Sequence, residues 1–240
     1  MELTKLVAAS LVAAGAITTG AIAQTVDPRT PAGQLEACGG AANWRAVGYL
    51  EFEVKITTAG REQGPWHYRY DKKDGFLRLS GPWSEGPKLD AAIDLGSRTG
   101  GAWDSGTQLT GKKLSDAVSW ALGRFGEDVL WLTFPLQWSA PGVTVTPLPD
   151  VAGAAGAKPS PSVEIKGPAG TWTVVLDPAT GRVARTVVVR AGSPTVTVAW
   201  DDWRAVAGVY FANRRTIAET GETVDVSVLQ ALPGAPPDAF

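Results

Sequence analysis

The sequence predicts a mainly β protein in which a curved antiparallel sheet wraps around its own apolar face and one or two short helices plug the opening. Three observations carry this. About a dozen segments alternate apolar and polar residues with the period of two that puts one face of a strand in a core. Turn-rich joins connect nearly all of them, so neighbours run antiparallel. Helical spacing is scarce, and a sheet that is apolar on one side must be covered by a second sheet, by helices or by its own curvature.

In chain order, residues 1–23 read as a secretory signal. Lys5 precedes the apolar run LVAASLVAAGAITTGAIA, and Ala21-Ile22-Ala23 supplies a small-x-small cleavage site before Gln24. Cleavage after Ala23 predicts a periplasmic or secreted protein with no stable membrane insertion. Residues 24–229 are expected to form one domain, with a flexible Ala/Gly/Pro loop over 149–161 and a disordered tail over 230–240. Cys38 is the one cysteine, which excludes an internal disulfide and a Cys-rich metal cluster. It stands beyond a polar, Pro-containing segment rather than against the apolar run, so it is not read as a lipidation site. Net charge is -2, with Arg and Lys scattered, which leaves no electrostatic footprint for nucleic acid or anionic lipid headgroups.

A weak helical segment falls over 34–47. LEFEVKIT then puts Leu50, Phe52, Val54 and Ile56 on one face, and Trp66, Tyr68 and Tyr70 share a face on the next strand. Asp71-Lys72-Lys73-Asp74-Gly75 reads as a hairpin loop with Gly75 left-handed. Strands follow over 76–80 and 89–95, with short ones near Trp103 and Leu109. Leu114, Val118, Leu122 and Phe125 then change to helical spacing and predict a modest helix over 112–124. Directly after it, DVLWLTFPLQWSAPG concentrates apolar and aromatic residues over 128–142. That run is too short to span a bilayer, which takes about 20 apolar residues, and it reads as a lid or a filling. Strands resume over 163–166, 171–176, 182–190, 195–203, 209–218 and 223–229, with tight turns at Asp177-Pro178-Ala179-Thr180-Gly181 and Glu219-Thr220-Gly221-Glu222.

The order GGxxxWRAVGYLEFEV, HYRYDKKDGFLRLSG, GGAWDSG, helix, FGEDVLWLTFPLQWSAPGV, VVLDPATGRVART and WDDWRAVAGVYFANRR resembles the LolA/LolB-like group of exported proteins, in its uncharacterised branch. The resemblance implies an unclosed antiparallel β-barrel capped by helices. It also implies, from the lipoprotein carriers of that group, an apolar hollow that takes up acyl chains. Two departures stand out: Cys38 occupies the position before Gly39-Gly40 where relatives often carry His, and the carriers' lid-closing Arg maps to no single position, with Arg69 the nearest guess.

Phe52, Trp66, Tyr68, Tyr70, Trp131, Phe134, Trp138, Trp172 and Trp200 are the candidate walls of a hydrophobic cavity, since dispersion and area burial reward such surfaces without demanding polar chemistry. The alternative for each is a dry core. His67, the one His, points away from that aromatic face and reads as a surface or hydrogen-bonded structural residue. Asp201 and Asp202 are adjacent on a strand and face opposite ways, which makes them poor partners for acid-base work. No catalytic residue, metal site or cofactor is predicted. The expected function is therefore a non-enzymatic carrier or binding protein for a lipid, a lipid-modified protein or another hydrophobic molecule. The runner-up is a closed β-protein that binds proteins or glycans through exposed Trp83 and Trp103, and a hydrolase using His67 or Asp202 ranks last.

Overall fold

The computed structural model describes residues 26–153, 156–168, 170–189 and 194–240. The segment read as a signal, with its expected cleavage site, lies outside the described residues. Two short helices, α1 (Pro31–Ala37) and α2 (Ala41–Ala46), lead into β1 (Tyr49–Thr58), β2 (Arg61–Asp71), β3 (Phe76–Trp83), β4 (Gly86–Asp94), β5 (Thr99–Asp104) and β6 (Thr107–Gln108). A long helix, α3 (Gly111–Thr133), and a single 3-10 turn (Phe134–Leu136) follow. The chain then builds β7 (Thr144–Val151), β8 (Ser160–Gly167), β9 (Gly170–Leu176), β10 (Val183–Val189), β11 (Val196–Val206), β12 (Val209–Ile217) and β13 (Thr223–Leu232).

The thirteen strands form one antiparallel sheet in the order β6-β5-β4-β3-β2-β1-β13-β12-β11-β10-β9-β8-β7. It curves without closing into a barrel. Each half is a meander of sequence neighbours, and the halves meet where β1 pairs with β13, from Tyr49 opposite Leu232 to Thr57 opposite Thr223. Tight hairpins make the meanders possible: Ala59-Gly60, Ser105-Gly106 and Ala207-Gly208 all take positive φ at both central positions, the geometry whose twist matches paired strands. Gly75 is left-handed, as its loop requires.

Strands β6 and β7 follow one another in the chain yet lie at opposite edges of the sheet, so their connection must cross the apolar face. Helix α3 makes that crossing, and its 23 residues span roughly 35 Å. Ala117, Val118, Ala121, Phe125, Asp128 and Leu132 are buried on its inner side, which packs on β4, β5 and β12. The helix is thus nearly twice the length that sequence spacing predicts, and it absorbs the first part of the 128–142 run. Exposed Gly123 and Gly126 disguise it, because each costs about 1 kcal/mol relative to Ala in a helix. Packing of Phe125 and Leu132 overrides that cost, and Pro135 ends the helix.

Strand β7 is the other element that sequence reading misses. Pro147 and Pro149 argue against a central strand, but β7 is an edge, where a missing N–H is tolerated. It reaches Val151 and β8 begins at Ser160, so strand pairing occupies both ends of the 149–161 segment read as a flexible loop. The tail over 230–240 is not frayed as expected. Strand β13 runs to Leu232, Ala239 is buried and accepts a hydrogen bond from Arg69 at 3.2 Å, and Phe240 packs edge-on against Tyr49. Phe240 also lies against Phe76, with ring centres 6.2 Å apart, so contacts of the last two residues hold what composition alone marks as loose.

Gly39 shows why the Gly-Gly pair follows Cys38. Its φ is 105° and a Cβ there would lie 1.9 Å from the Gly208 carbonyl oxygen, where the helical entry docks on the β11–β12 turn and Tyr210 N–H donates to Cys38 O at 2.9 Å. Gly39→Ala is expected to destabilise the protein by about 3 kcal/mol. Gly123→Ala and Gly126→Ala, which meet open space, are expected to stabilise it by up to about 1 kcal/mol each. Urea denaturation of the three variants measures both signs.

Candidate functional site

Buried side chains fall into two clusters. One gathers Leu50, Phe52, Val54, Trp66, Tyr68, Leu77, Leu79 and Phe125 between β1–β5 and the inner side of α3. The other gathers Phe134, Trp138, Val163, Ile165, Trp172, Val174 and Trp200 under β7–β11. Between them, beside α3, a cavity of about 500 Å³ remains, within the range that small-molecule ligands fill. Its walls are Ile56, Val188, Val196, Val198, Ile217 and Val224, with Trp131 from the helix.

The cavity deepens along two strands. Into β11 exposure falls from Thr195, exposed just before the strand, through half-buried Val196 to buried Val198. Back into β12 it falls from Glu219, exposed just after the strand, through half-buried Ile217 to buried Arg215. The mouth therefore lies at the β12–β13 turn. Its two carboxylates are engaged: Glu219 accepts from Thr197 N–H at 2.9 Å, which holds its carboxyl below the ordinary range, and Glu222 accepts from Thr58 Oγ1 at 2.7 Å.

The inner end is polar. Arg124 and Asp128, four apart on α3, form a two-pronged pair at 2.8 and 2.9 Å, and Tyr68 donates to Asp128 Oδ2 at 2.5 Å. The Arg124 guanidinium lies 4.0 Å from the centre of the Trp66 ring. Burial pushes the Asp128 carboxyl upward, opposed by Arg124 and then by the Tyr68 hydrogen bond. Burial, with Asp128 beside it, also pushes the Tyr68 hydroxyl far upward. Arg215 stands across from Trp200 in the β11–β12 register and is 2% exposed. One terminal nitrogen, Nη2, donates to Ala212 O at 3.1 Å, while Nε has no partner among the described residues. Burial pushes its guanidinium down to about 10, with Asp128 opposing, so it is still cationic at neutral pH.

Of the nine aromatic residues predicted to line a hollow, Trp131 faces this cavity. The other eight pack elsewhere. Phe52 stacks on Tyr68 with ring centres 4.7 Å apart, Tyr70 meets Phe125 edge-on at 5.0 Å, and Trp66 donates to Pro82 O at 2.7 Å. Phe134 sits among Trp138, Trp172 and Trp200 at 6.3, 5.3 and 5.8 Å, so the 128–142 run fills one half of the sheet. Arg69 faces outward, 3.3 Å from Glu51, because it alternates with inward Tyr68 and Tyr70, and it has no place at the cavity. His67 is also outward and donates from Nε2 to Glu51 Oε1 over 2.8 Å. Asp202 pairs with Arg204 rather than with Asp201.

Sequence reading passed over Arg215, although a signal existed: it is in phase with Phe211 and Ile217, on the buried face of β12. Asp128 is likewise in helical phase with Phe125 and Leu132. Trp83 turns inward onto Trp120, at 6.5 Å between ring centres, whereas Trp103 borders a shallow outer depression with Arg78, Lys88, Asp90 and Ser105. Among the described residues no group of three or more His, Cys, Asp or Glu could hold a metal ion, and no helix is long and apolar enough to cross a membrane.

No protein-family model matches the chain, and no curated protein matches it. Solved structures do. A LolA superfamily protein from Nitrosomonas europaea aligns with a TM-score of 0.51 at 9% identity, over 89% of this chain and 96% of that one. An outer membrane lipoprotein-sorting protein domain from Vibrio parahaemolyticus aligns with a TM-score of 0.37 at 9% identity, over 82% and 90%. MucB in the Pseudomonas aeruginosa MucA/MucB complex aligns at 0.28 and 11%, over 88% and 60%. The chain has a LolA-like fold.

Two tests follow from the polar end. Tyr68→Phe is expected to cost about 2 kcal/mol by removing a donor to a charged acceptor, and Asp128→Asn about 3–5 kcal/mol by stranding Arg124, both read from chemical denaturation. Burial raises the Cys38 thiol to about 12, so alkylation of the native protein in mildly alkaline buffer should be very slow and should accelerate on adding urea.

Proposed function

We propose that this protein is an exported, non-enzymatic carrier or binding protein that holds one hydrophobic ligand, a lipid or an acyl chain, in the cavity beside α3. The observation that supports the reading best is the cavity itself: about 500 Å³ left open inside a sheet whose two clusters are otherwise closely packed, with six aliphatic side chains and Trp131 facing it. Small apolar voids are filled in stable cores, because each lining atom without a partner loses dispersion energy. A ligand chain restores those contacts.

The mechanism is reversible partition through the mouth at Thr195 and Thr220. Phe134, Leu136 and Trp138 are buried and anchor the end of α3, so entry needs movement of the turn rather than of the helix. Release needs a competing acceptor. No proton or bond has to move.

Purified protein titrated with straight-chain amphiphiles should bind one molecule, with affinity rising about fourfold for each added methylene, followed by tryptophan fluorescence and native mass spectrometry. Val224→Trp, which fills the cavity from a half-buried wall position, should weaken uptake at least about tenfold while leaving the melting temperature nearly unchanged. Wild-type protein that takes up none of these amphiphiles would sink the reading.

A further inference from the structure

The described cavity has an unusual inner end. Arg215 is 2% exposed, lines the cavity, leaves Nε without a partner and is paired with no carboxylate among the described residues. Two acidic residues of α3, Glu127 and Asp128, also line the cavity; the charge of Asp128 acts on Arg215, but its oxygens already accept from Arg124 twice and from Tyr68. A guanidinium carries five N–H donors in a planar fork suited to a carboxylate or phosphate, and here one protein oxygen among the described residues takes up one of them. A buried charge without a directly hydrogen-bonded counter-ion is unfavourable, Asp128 acting on this one only through its charge, and a cation next to an apolar space favours an anion inside it.

The polarity of the cavity fixes which way such a ligand lies. From Arg215 outward the walls are Val198, Ile217, Val196, Val224 and Ile56, and the exposed rim carries Glu219 and, half-buried, Glu222. An anionic group left at that rim meets two carboxylates, whereas one carried inward to the β12 wall meets Arg215, whose neighbour Asp128 is already paired with Arg124. An acyl chain esterified to a bulky headgroup presents a methyl end to Arg215 and gains nothing there.

Resting on the carrier reading, we propose that the ligand class is a single-chain amphiphile with a small terminal anion, such as an unesterified fatty acid, bound head-first with its anion on Arg215 and its chain running back to the mouth. Arg215 selects the charge and the aliphatic walls select the chain. A free carboxylate and an alkyl phosphate share this chemistry.

Detergent-free, delipidated protein is titrated with dodecanoate, dodecyl phosphate, dodecanol, dodecylammonium, a dodecanoyl lysophosphatidylcholine and inorganic phosphate, by calorimetry and tryptophan fluorescence. Dodecanoate or dodecyl phosphate should bind at least about tenfold more tightly than dodecanol, with dodecylammonium and the lysolipid weaker still and inorganic phosphate weakest. Arg215→Met should erase the preference for the anion, so that dodecanoate and dodecanol bind this variant within about twofold of each other. Ile217→Glu, which supplies a carboxylate two residues along the same face of β12, should erase it also and serves if the Met variant does not fold. Equal affinity of the wild type for dodecanoate and dodecanol overturns this inference and leaves the carrier reading intact. Inorganic phosphate binding as tightly as dodecanoate overturns it as well, because the chain then contributes nothing. Uptake of no chain at all overturns both.

Discussion

A single helix has to cover an apolar face thirteen strands wide, and one helix is too narrow to do so. Most features of the molecule are consequences of that mismatch. The sheet bends towards its covering, which reduces the area left bare. The 3-10 turn and the aromatic residues that follow α3 extend the cover over β7–β11, while the helix itself packs on β4, β5 and β12. Where neither reaches, a gap persists, and the gap is the cavity. Its position next to Trp131 marks the boundary between the two coverings.

The same geometry sorts what could be read from sequence. Alternation was a reliable guide to the strands because each has one solvated face: Leu50, Phe52 and Val54 are buried while Glu51 and Glu53 are not. Positive-φ turns at Gly75, Gly181 and Gly221 were legible from composition. Strand β7 and the second half of α3 were not, since Pro147, Pro149, Gly123 and Gly126 express weak local preferences that an edge position and tertiary packing override. The cavity was legible only as a question. Whether Trp172 lines a hollow or fills a core depends on how far Phe134 reaches across the sheet, at 5.3 Å, and periodicity carries no such distance.

The polar inner end is where local consistency breaks down. A β12 designed for stability alone would continue Phe211 with another apolar residue at position 215, since replacing a buried ion by a well-packed hydrophobe is often neutral or stabilising. Arg215 stands there instead, stacked 5.1 Å from Trp200 and incompletely hydrogen-bonded. Arg124 and Asp128 contrast with it: a half-buried and a buried charge that answer each other, braced by Tyr68. One polar group is closed and structural; its neighbour is open.

The ladder between β1 and β13 has a separate consequence for how the chain reaches this state. Every other strand pairing joins sequence neighbours and can close locally, but this one brings together segments at opposite ends of the described chain. Two nearly complete meanders must exist before it forms, each presenting a raw edge with a greasy face behind it. Such long-range closure is slow, and unpaired edges recruit other chains while they wait. The vulnerable interval therefore lasts until β13, the thirteenth strand to be made, finds β1, and a partner that shields Leu50, Phe52 and Val54 during that delay would govern yield more than any contact in the finished fold.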